Sequence, residues 1–404
     1  MVFQARCEYG MRMTSAPDPF HIQEELKYLR LHITNFLSYQ SAVLDLADLV
    51  ALVGPNATGK SNAVAAIKLL REIPIHGLPI AIARRGGFDQ LRHRSSGRPY
   101  NPALRLDFQF GDNPVSFYEL KLRGMEGKRY EVKQERGVLH FKGDKYAFTN
   151  NAGTLGFTEM EGGHRSRVSG DRKIPVPAGQ SAVSFPATFG LFIVARVLQL
   201  MQTVEINPAL VGELQEPSST REFEPDGSNT ASVFEELTSE TRAELVDELS
   251  AIVPGIQRIE LRRLADKVTL AFVQELSEGK RREFLAKQMS DGTLRAFSIL
   301  LSMLQESRPA LLVIEEPEIA IHLGALRTLV DIMRQQSETT QVLITTHSAD
   351  IIDTIDIDAL RVVWSEDGAS RIAPVAEHTR EPVRQGLITP GQLLRSDSLD
   401  PASA

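Results

Sequence analysis

Residues 49–61 read LVALVGPNATGKS, five apolar residues running without a break into a glycine-rich loop, and the segment NAVAAIKLLREI at 62–73 follows at once. In that segment Val64, Ile67, Leu70 and Ile73 recur at helical spacing, and Pro74 is expected to end it. A strand, a tight loop and a helix in this order fit the pattern G-x-x-x-x-G-K-S, with Gly54, Gly59, Lys60 and Ser61 in the required places. The residue types follow from the chemistry of phosphate. Glycines let backbone N–H groups crowd around phosphate oxygens, and the helix aims its positive end at them. Lys60 reaches the terminal phosphates, and Ser61 offers a hydroxyl to Mg2+.

A phosphate loop needs a carboxylate at the end of another strand to hold Mg2+, and ALLVIEEPE at 310–318 supplies an apolar run ending in two. Glu315 is expected to face the metal. Glu316, one residue on, is placed to orient or deprotonate an attacking water. Upstream, MSDGTLRAFSILLSML at 289–304 puts Ser290 and Gly292 in a small turn that enters an apolar helix and exposes N–H groups at its start, a second anion-binding end. One site has no evident need for two such ends on one phosphate, which favours the turn of one subunit closing over the nucleotide of another. QVLITTHS at 341–348 places His347 just past a strand expected to lie beside the Glu315 strand.

Working outward, KYLRLHITNF at 27–36 and SAVLDL at 41–46 read as strands, and alternating runs from 104 to 143 predict an antiparallel sheet. Residues 144–186 are rich in Gly, Ser, Asn and Pro and are read without regular structure. Helices are expected at 187–203 and 231–253, and strands at 256–262 and 268–275. From there helix (292–305), strand (310–314), helix (323–336), strand (341–345), helix (349–355) and strand (359–365) alternate, as in a mostly parallel sheet covered by helices. The expected fold class is α/β: a P-loop head with a mostly parallel core sheet, an antiparallel β subdomain and an α/β insertion. Its expected divisions are a flexible extension at 1–24, a first core half at 25–100, an insertion at 101–284, a second core half at 285–373 and a tail at 374–404.

With 42% hydrophobic and 24% charged residues, the 404-residue chain has ordinary globular composition and can bury a real core. A net charge of -7 argues against whole-surface attraction to nucleic acid or anionic lipid and leaves only a local basic groove open. Cys7 is the single cysteine, so no internal disulfide can form and a cytoplasmic address is expected. The most apolar stretch, FGLFIVARVLQLM at 189–201, is too short for a bilayer and carries Arg196. The first twenty or so residues lack a secretory signal. No membrane is expected as a partner.

The strings TNFLS, GPNATGKSN, GGFDQLRHR, MSDGTLR, IEEPEIAIH and TTHSADIID span most of the chain. Together they resemble the ABC-type ATPases of the SMC, RecF and OLD (overcoming lysogenisation defect) grouping, in its stand-alone AAA branch. The resemblance implies ATP and Mg2+ as cofactors and a homodimer, or a dimer of similar heads. Two ATP molecules would be held between the loop of one subunit and Ser290 and Gly292 of the other. It assigns Gly54, Pro55, Asn56, Ala57, Thr58, Gly59, Lys60, Ser61 and Asn62 to the phosphates, and Ser61 and Glu315 to the metal. Glu316 becomes the catalytic base and His347 the switch histidine. Gln90 is the candidate for the glutamine that joins the metal in such sites. The sequence departs from the pattern at Ala57, where a glycine is usual. It departs again at Glu315, where many relatives carry aspartate, and at His322, where transporter-type ATPases have an aspartate.

No sustained heptads separate the two halves of the motif set, which excludes a long coiled coil. Too little chain follows His347 for a Toprim nuclease. The output is therefore expected to lie with a partner effector, a nuclease or toxin, or with DNA, in antiphage defence or repair. Arg84, Arg85, Arg92, His93, Arg94 and Arg98 form a basic cluster open to phosphate backbones or an acidic partner. The nucleotide-binding subunit of a membrane transporter is the alternative, which the β-rich insert and the IEEPE string argue against. The absence of an N-K-x-D string argues against a small GTPase.

Overall fold

The computed structural model describes residues 22–94, 100–127, 129–161, 164–165, 173–177, 179–276 and 279–402. A six-stranded sheet forms the centre, in the order Met201–Val204, Leu311–Glu315, Gln341–Thr346, Leu49–Val53, Leu360–Glu366 and Ala369–Pro374. Its first five strands are parallel, and the last folds back antiparallel. Parallel strands are covered on both faces, so they read as unbroken apolar runs rather than alternating ones. Alternate residues of the P-loop strand therefore feed two cores: Val50 and Leu52 one, Ala51 and Val53 the other.

On the first face lie the P-loop helix, Lys60–His76, and the helix Phe189–Gln199, both roofed by a second sheet. The second face is covered by the helix Asp291–Leu304 and by the helices Leu323–Gln336 and Ser239–Ile252. The roofing sheet is antiparallel throughout, in the order Ile174–Pro175, Thr154–Glu161, Asp144–Asn151, Tyr130–Phe141, Ser116–Gly124, Ala103–Phe110, Leu26–Phe36 and Tyr39–Asp45, with His164–Arg165 added to the second strand. A third sheet joins Ile256–Leu264, Lys267–Glu275 and Arg281–Leu285.

Several expectations are corrected. The division at 100/101 falls inside one continuous sheet, because Leu26–Phe36 pairs directly with Ala103–Phe110. The 101–284 segment is not wholly an insertion, since Met201–Val204 is the edge strand of the core. That strand also cuts short the helix expected to reach 203, because pairing with Leu311–Ile314 overrides its local preference. Pro74 does not end the P-loop helix. It sits inside the last turn, and closure comes at Gly77, with φ 84 and its N–H on the Ile73 carbonyl at 2.9 Å. The 374–404 tail carries two helices, Glu377–Arg384 and Pro390–Arg395.

Within 144–186, Asp144–Asn151 and Thr154–Glu161 form a hairpin. Its turn residues Ala152 and Gly153 have φ of 48 and 90, which explains the loop-like composition there. This hairpin is held to the P-loop helix through Glu135, which is fully buried on Tyr130–Phe141. Its carboxylate accepts hydrogen bonds from Ser181 Oγ at 2.5 Å, Ala182 N at 2.7 Å, Tyr118 Oη at 3.0 Å, Asn150 Nδ2 at 3.2 Å and Val183 N at 3.3 Å. Five donors around one carboxylate fix the 181–184 turn, and Ser184 Oγ then donates to the Ile73 carbonyl at 2.9 Å.

Candidate active site

Register places the candidate residues. Val53 pairs with Thr346, and Glu315 pairs with Thr345, so the P-loop, the Glu315–Glu316 turn and the His347 turn all leave the carboxyl edge of adjacent parallel strands. That edge is where open α/β sheets bind ligands.

The loop closes on backbone positions that need unusual dihedrals: φ is 152 at Gly54, 63 at Ala57 and 117 at Gly59. A Cβ on Gly54 would lie 2.2 Å from the Val363 carbonyl oxygen, and one on Gly59 would lie 2.3 Å from Ser370 Oγ. Ala57, the departure from glycine, occupies the left-handed region despite its Cβ, at a cost of about 1–2 kcal/mol. The Thr58 hydroxyl donates to the Pro55 carbonyl at 2.9 Å. Outside the loop, Tyr39 donates to the Gly59 carbonyl at 2.9 Å, and Ser370 Oγ donates to Thr58 O at 2.6 Å and stands 2.7 Å from Ser38 Oγ, whose hydroxyl is free to donate to it. Asn62 Nδ2 also meets Ser38 Oγ at 2.7 Å. Pro55, Asn56, Ala57 and Ser61 are exposed around this frame.

Lys60 is buried, and its Nζ donates to Gly54 O at 2.7 Å and Pro55 O at 2.9 Å. Burial pulls its pKa below the ordinary lysine value, and the Glu316 and Glu318 carboxylates partly offset that. Glu315 is not free: its Oε1 accepts from Lys68 Nζ at 2.8 Å, and Lys68 also reaches Glu205 Oε2 at 3.0 Å. Burial disfavours the Lys68 charge, but hydrogen bonds and charge from Glu315 and Glu205 outweigh it and raise its pKa. Oxygen donors on Ser61 and Glu315 suit Mg2+, a hard cation that keeps several waters.

Glu316 has φ 46, a strained value for glutamate, and its N–H is tied to the Thr345 carbonyl at 2.9 Å. The kink turns its side chain out of the strand toward His347, whose Nδ1 is 3.5 Å from Glu316 Oε1 and 3.7 Å from Glu318 Oε1. The arrangement sets a lysine, two carboxylates and an imidazole around the mouth of the loop, a set able to hold phosphate and to handle the proton of a water.

The remaining candidates stand apart. Ser290 caps the helix Asp291–Leu304, its Oγ accepting from Thr293 N at 3.2 Å, and a Cβ on Gly292 would lie 2.1 Å from the Ala320 carbonyl oxygen. Among the described residues no hydrogen bond or ion pair joins Ser290 or Gly292 to residues 54–62. Gln90 opens on a cleft of about 270 Å³ shared with Ser38, Asn62, Arg92, His93 and Arg94, without a hydrogen bond to Ser61 or Glu315. His322 caps Leu323–Gln336 by accepting from Gly324 N at 3.1 Å.

The basic cluster does not form one surface. Arg85 is paired twice with Glu72, at 2.8 and 3.0 Å, and His93 is buried with Nδ1 3.0 Å from the Leu37 carbonyl oxygen. Arg92 lies over the Phe88 ring, Arg84 and Arg94 are exposed, and Arg98 lies outside the described residues. Ser38, Tyr39, Lys68, Glu318, Thr346 and Ser370 were not singled out from sequence. They are common polar residues with no spacing of their own, and only pairing brings them to the loop.

Among the described residues no helix is long and apolar enough to cross a membrane. Comparison with solved structures gives an SMC head bound to the C-terminal winged-helix domain of ScpA, 14% identical, TM-score 0.55, covering 86% of this chain and 96% of that one. An SMC head with an extended coiled coil from Pyrococcus furiosus, bound to the C-terminal domain of ScpA, is 11% identical with TM-score 0.51, covering 90% and 99%. At these identities the likeness is one of fold. No curated protein sequence matches the chain significantly. The family model described as "AAA domain, putative AbiEii toxin, Type IV TA system" matches residues 49–149 and 199–353, a span that holds the loop, Ser290, Glu315, Glu316 and His347. This chain, an SMC-head-like α/β P-loop ATPase in fold, belongs to that AAA family.

Proposed function

We propose that the chain binds ATP with Mg2+ and hydrolyses it at a site completed by a second copy. The loop and Lys60 hold the phosphates, Ser61 and Glu315 hold the metal, Glu316 takes the proton of the attacking water, and His347 steadies the terminal phosphate. The bound metal would neutralise charge developing on the phosphates. One observation carries the reading: three adjacent parallel strands deliver Lys60, Glu316 and His347 to one edge, while the exposed Ser290 cap belongs to a helix with no bond to the loop. A helix start that faces outward is free to cap the phosphate of another subunit. ATP then times assembly, and the output passes to a nuclease, a toxin or DNA in the cytoplasm, in antiphage defence or repair. The SMC heads of similar fold are seen with a bound ScpA domain, which is a precedent for a head that works through a partner.

Glu316→Gln tests this. ATP binding should persist, hydrolysis should slow by at least about 100-fold, and an ATP-bound dimer should accumulate in light scattering after size exclusion. Unchanged turnover would remove Glu316 from the role of base. Mixing inactive Ser290→Arg with inactive Lys60→Ala should restore part of the activity if the site is shared, and no restoration counts against a shared site.

A further inference from the structure

Glu318 is the one charged residue of the carboxylate turn to which no role has been given, and it is the most enclosed of the three glutamates there. Its side chain is 11% exposed, against 33% for Glu316 and 16% for Glu315. Oε1 faces the His347 turn with three groups around it. Thr346 Oγ1 donates to it at 2.7 Å, the His347 N–H donates at 3.3 Å, and His347 Nδ1 stands 3.7 Å away. The Thr346 hydroxyl is used twice, because it also accepts from the Ser348 N–H at 2.9 Å. Oε2 is buried and has no hydrogen-bond partner among the described residues.

A half-satisfied buried carboxylate is costly, so its place needs a compensating reason. The satisfied oxygen supplies one, because it binds the first two residues of the very turn that carries the imidazole. The strands Leu311–Glu315 and Gln341–Thr346 end side by side, and past their ends the two turns are tied by the Glu316 N–H on Thr345, by the His347–Glu316 side-chain contact and by this carboxylate.

We propose that Glu318 is the positioning residue for His347, holding the 346–348 turn through the Thr346 hydroxyl and the His347 amide so that the imidazole faces Glu316. This rests on the assignment of His347 to ATP hydrolysis made above. Glu318 itself touches no substrate. Misplacing the imidazole by loss of this support should cost on the order of 10–100-fold in rate, the scale seen when the outer-shell partner of a functional side chain is lost.

The test compares Glu318→Ala, Glu318→Gln, Thr346→Val and His347→Ala in the full chain, with hydrogen exchange of the 341–352 peptide as a readout that needs no turnover. Glu318→Ala should speed exchange at 346–348 and lower kcat about 10–100-fold with KM for ATP within about threefold. Glu318→Gln keeps an acceptor at Oε1 and should recover most of the rate. Thr346→Val should give part of the loss, and Glu318→Ala in a His347→Ala background should lower the rate no further. Additive loss in that double mutant overturns the proposal, as does a normal kcat in Glu318→Ala. If His347→Ala itself hydrolyses ATP normally, the role of His347 falls and the inference falls with it. A slow His347→Ala beside a normal Glu318→Ala sinks only the inference.

Discussion

Gly59 sits where the loop meets both Ser38 and Ser370, and Gly59→Ala separates two physical demands on that position. The first is conformational. At φ 117 a Cβ-bearing residue is strained, at a cost of about 1–3 kcal/mol. The second is steric. The new Cβ would lie 2.3 Å from Ser370 Oγ and 2.8 Å from Ser370 Cβ, and Ser370 cannot swing aside freely because its hydroxyl bonds Thr58 O and Ser38 Oγ. Overpacking of this kind costs about 1–3 kcal/mol. Together the loss is about 2–6 kcal/mol, and with an unfolding entropy of about 0.85 kcal/mol/K for a chain of this length the melting temperature should fall by about 2–7 K. Ser370→Gly removes both offending atoms. In the double mutant the steric share should vanish while the φ share stays, so stability should exceed the sum of the single effects by about 1–3 kcal/mol. Thermal melts of the four proteins without nucleotide measure this, and ATP calorimetry should show the double mutant still weakened. Additivity within about 0.5 kcal/mol would refute Ser370 as the obstacle, and an unchanged melt in Gly59→Ala would refute the loop conformation itself.

Glu135→Ala strands five buried donors around Tyr118, Asn150 and the 181–183 turn, and should cost on the order of 3–5 kcal/mol in chemical denaturation; a loss under about 1 kcal/mol would show that the turn is held by other contacts. Glu248 has its pKa raised, first by burial, and its Oε2 lacks a hydrogen-bond partner among the described residues. Because the folded value lies above the unfolded one, the charged form costs stability above that window, and the cost disappears as pH falls toward the ordinary 4.5. Glu248→Gln should therefore raise the melting temperature at pH 7–8 and converge with the parent near pH 4.5, and a gap independent of pH would contradict this. Lys68→Gln frees Glu315 and should destabilise the nucleotide-free chain by about 1–3 kcal/mol. Mg2+ with ATP supplies a replacement cation, so it should raise the melting temperature of the variant more than that of the parent, and an equal shift would count against Glu315 as the metal carboxylate.

The alternation of the second half was legible because parallel strands buried on both faces leave unbroken apolar runs, and the helix 323–336 was read to its limits. The loop was legible because phosphate chemistry restricts residue type at fixed spacing. What escaped depends on partners distant in sequence. Met201–Val204 looks like the end of an apolar helix until Leu311–Ile314 lies beside it. The Asp144–Asn151 hairpin looks like loop because its turn is rich in Asn and Gly, and its inward Tyr146, Phe148 and Asn150 alternate over too short a run to stand out. Within the site, Lys68 falls two turns after Lys60 on an ordinary helix, and nothing nearby in sequence marks it as the partner of a residue 247 positions away. The basic cluster failed for the converse reason. Its residues are neighbours in sequence, but Arg85 and His93 turn inward to Glu72 and the Leu37 carbonyl.

These pairings bear on how such a loop gains affinity. Lys60 already holds two loop carbonyls, Glu315 already holds Lys68, and the outer oxygen of Glu318 already holds the His347 turn. Binding of a phosphate and a cation there is an exchange of partners within a buried network rather than the addition of new contacts to bare charges. Each exchanged hydrogen bond to a charged group is worth about 1.5–3 kcal/mol in either state, so the net gain is a small difference between similar terms. The backbone N–H groups of the loop are another matter, because their directions are fixed by the dihedrals at Gly54, Ala57 and Gly59. Most of the affinity should then reside in the preformed loop, and the charged side chains should decide instead what happens to the bound phosphate, which is why the Gly59 and Glu316 substitutions are expected to separate binding from hydrolysis.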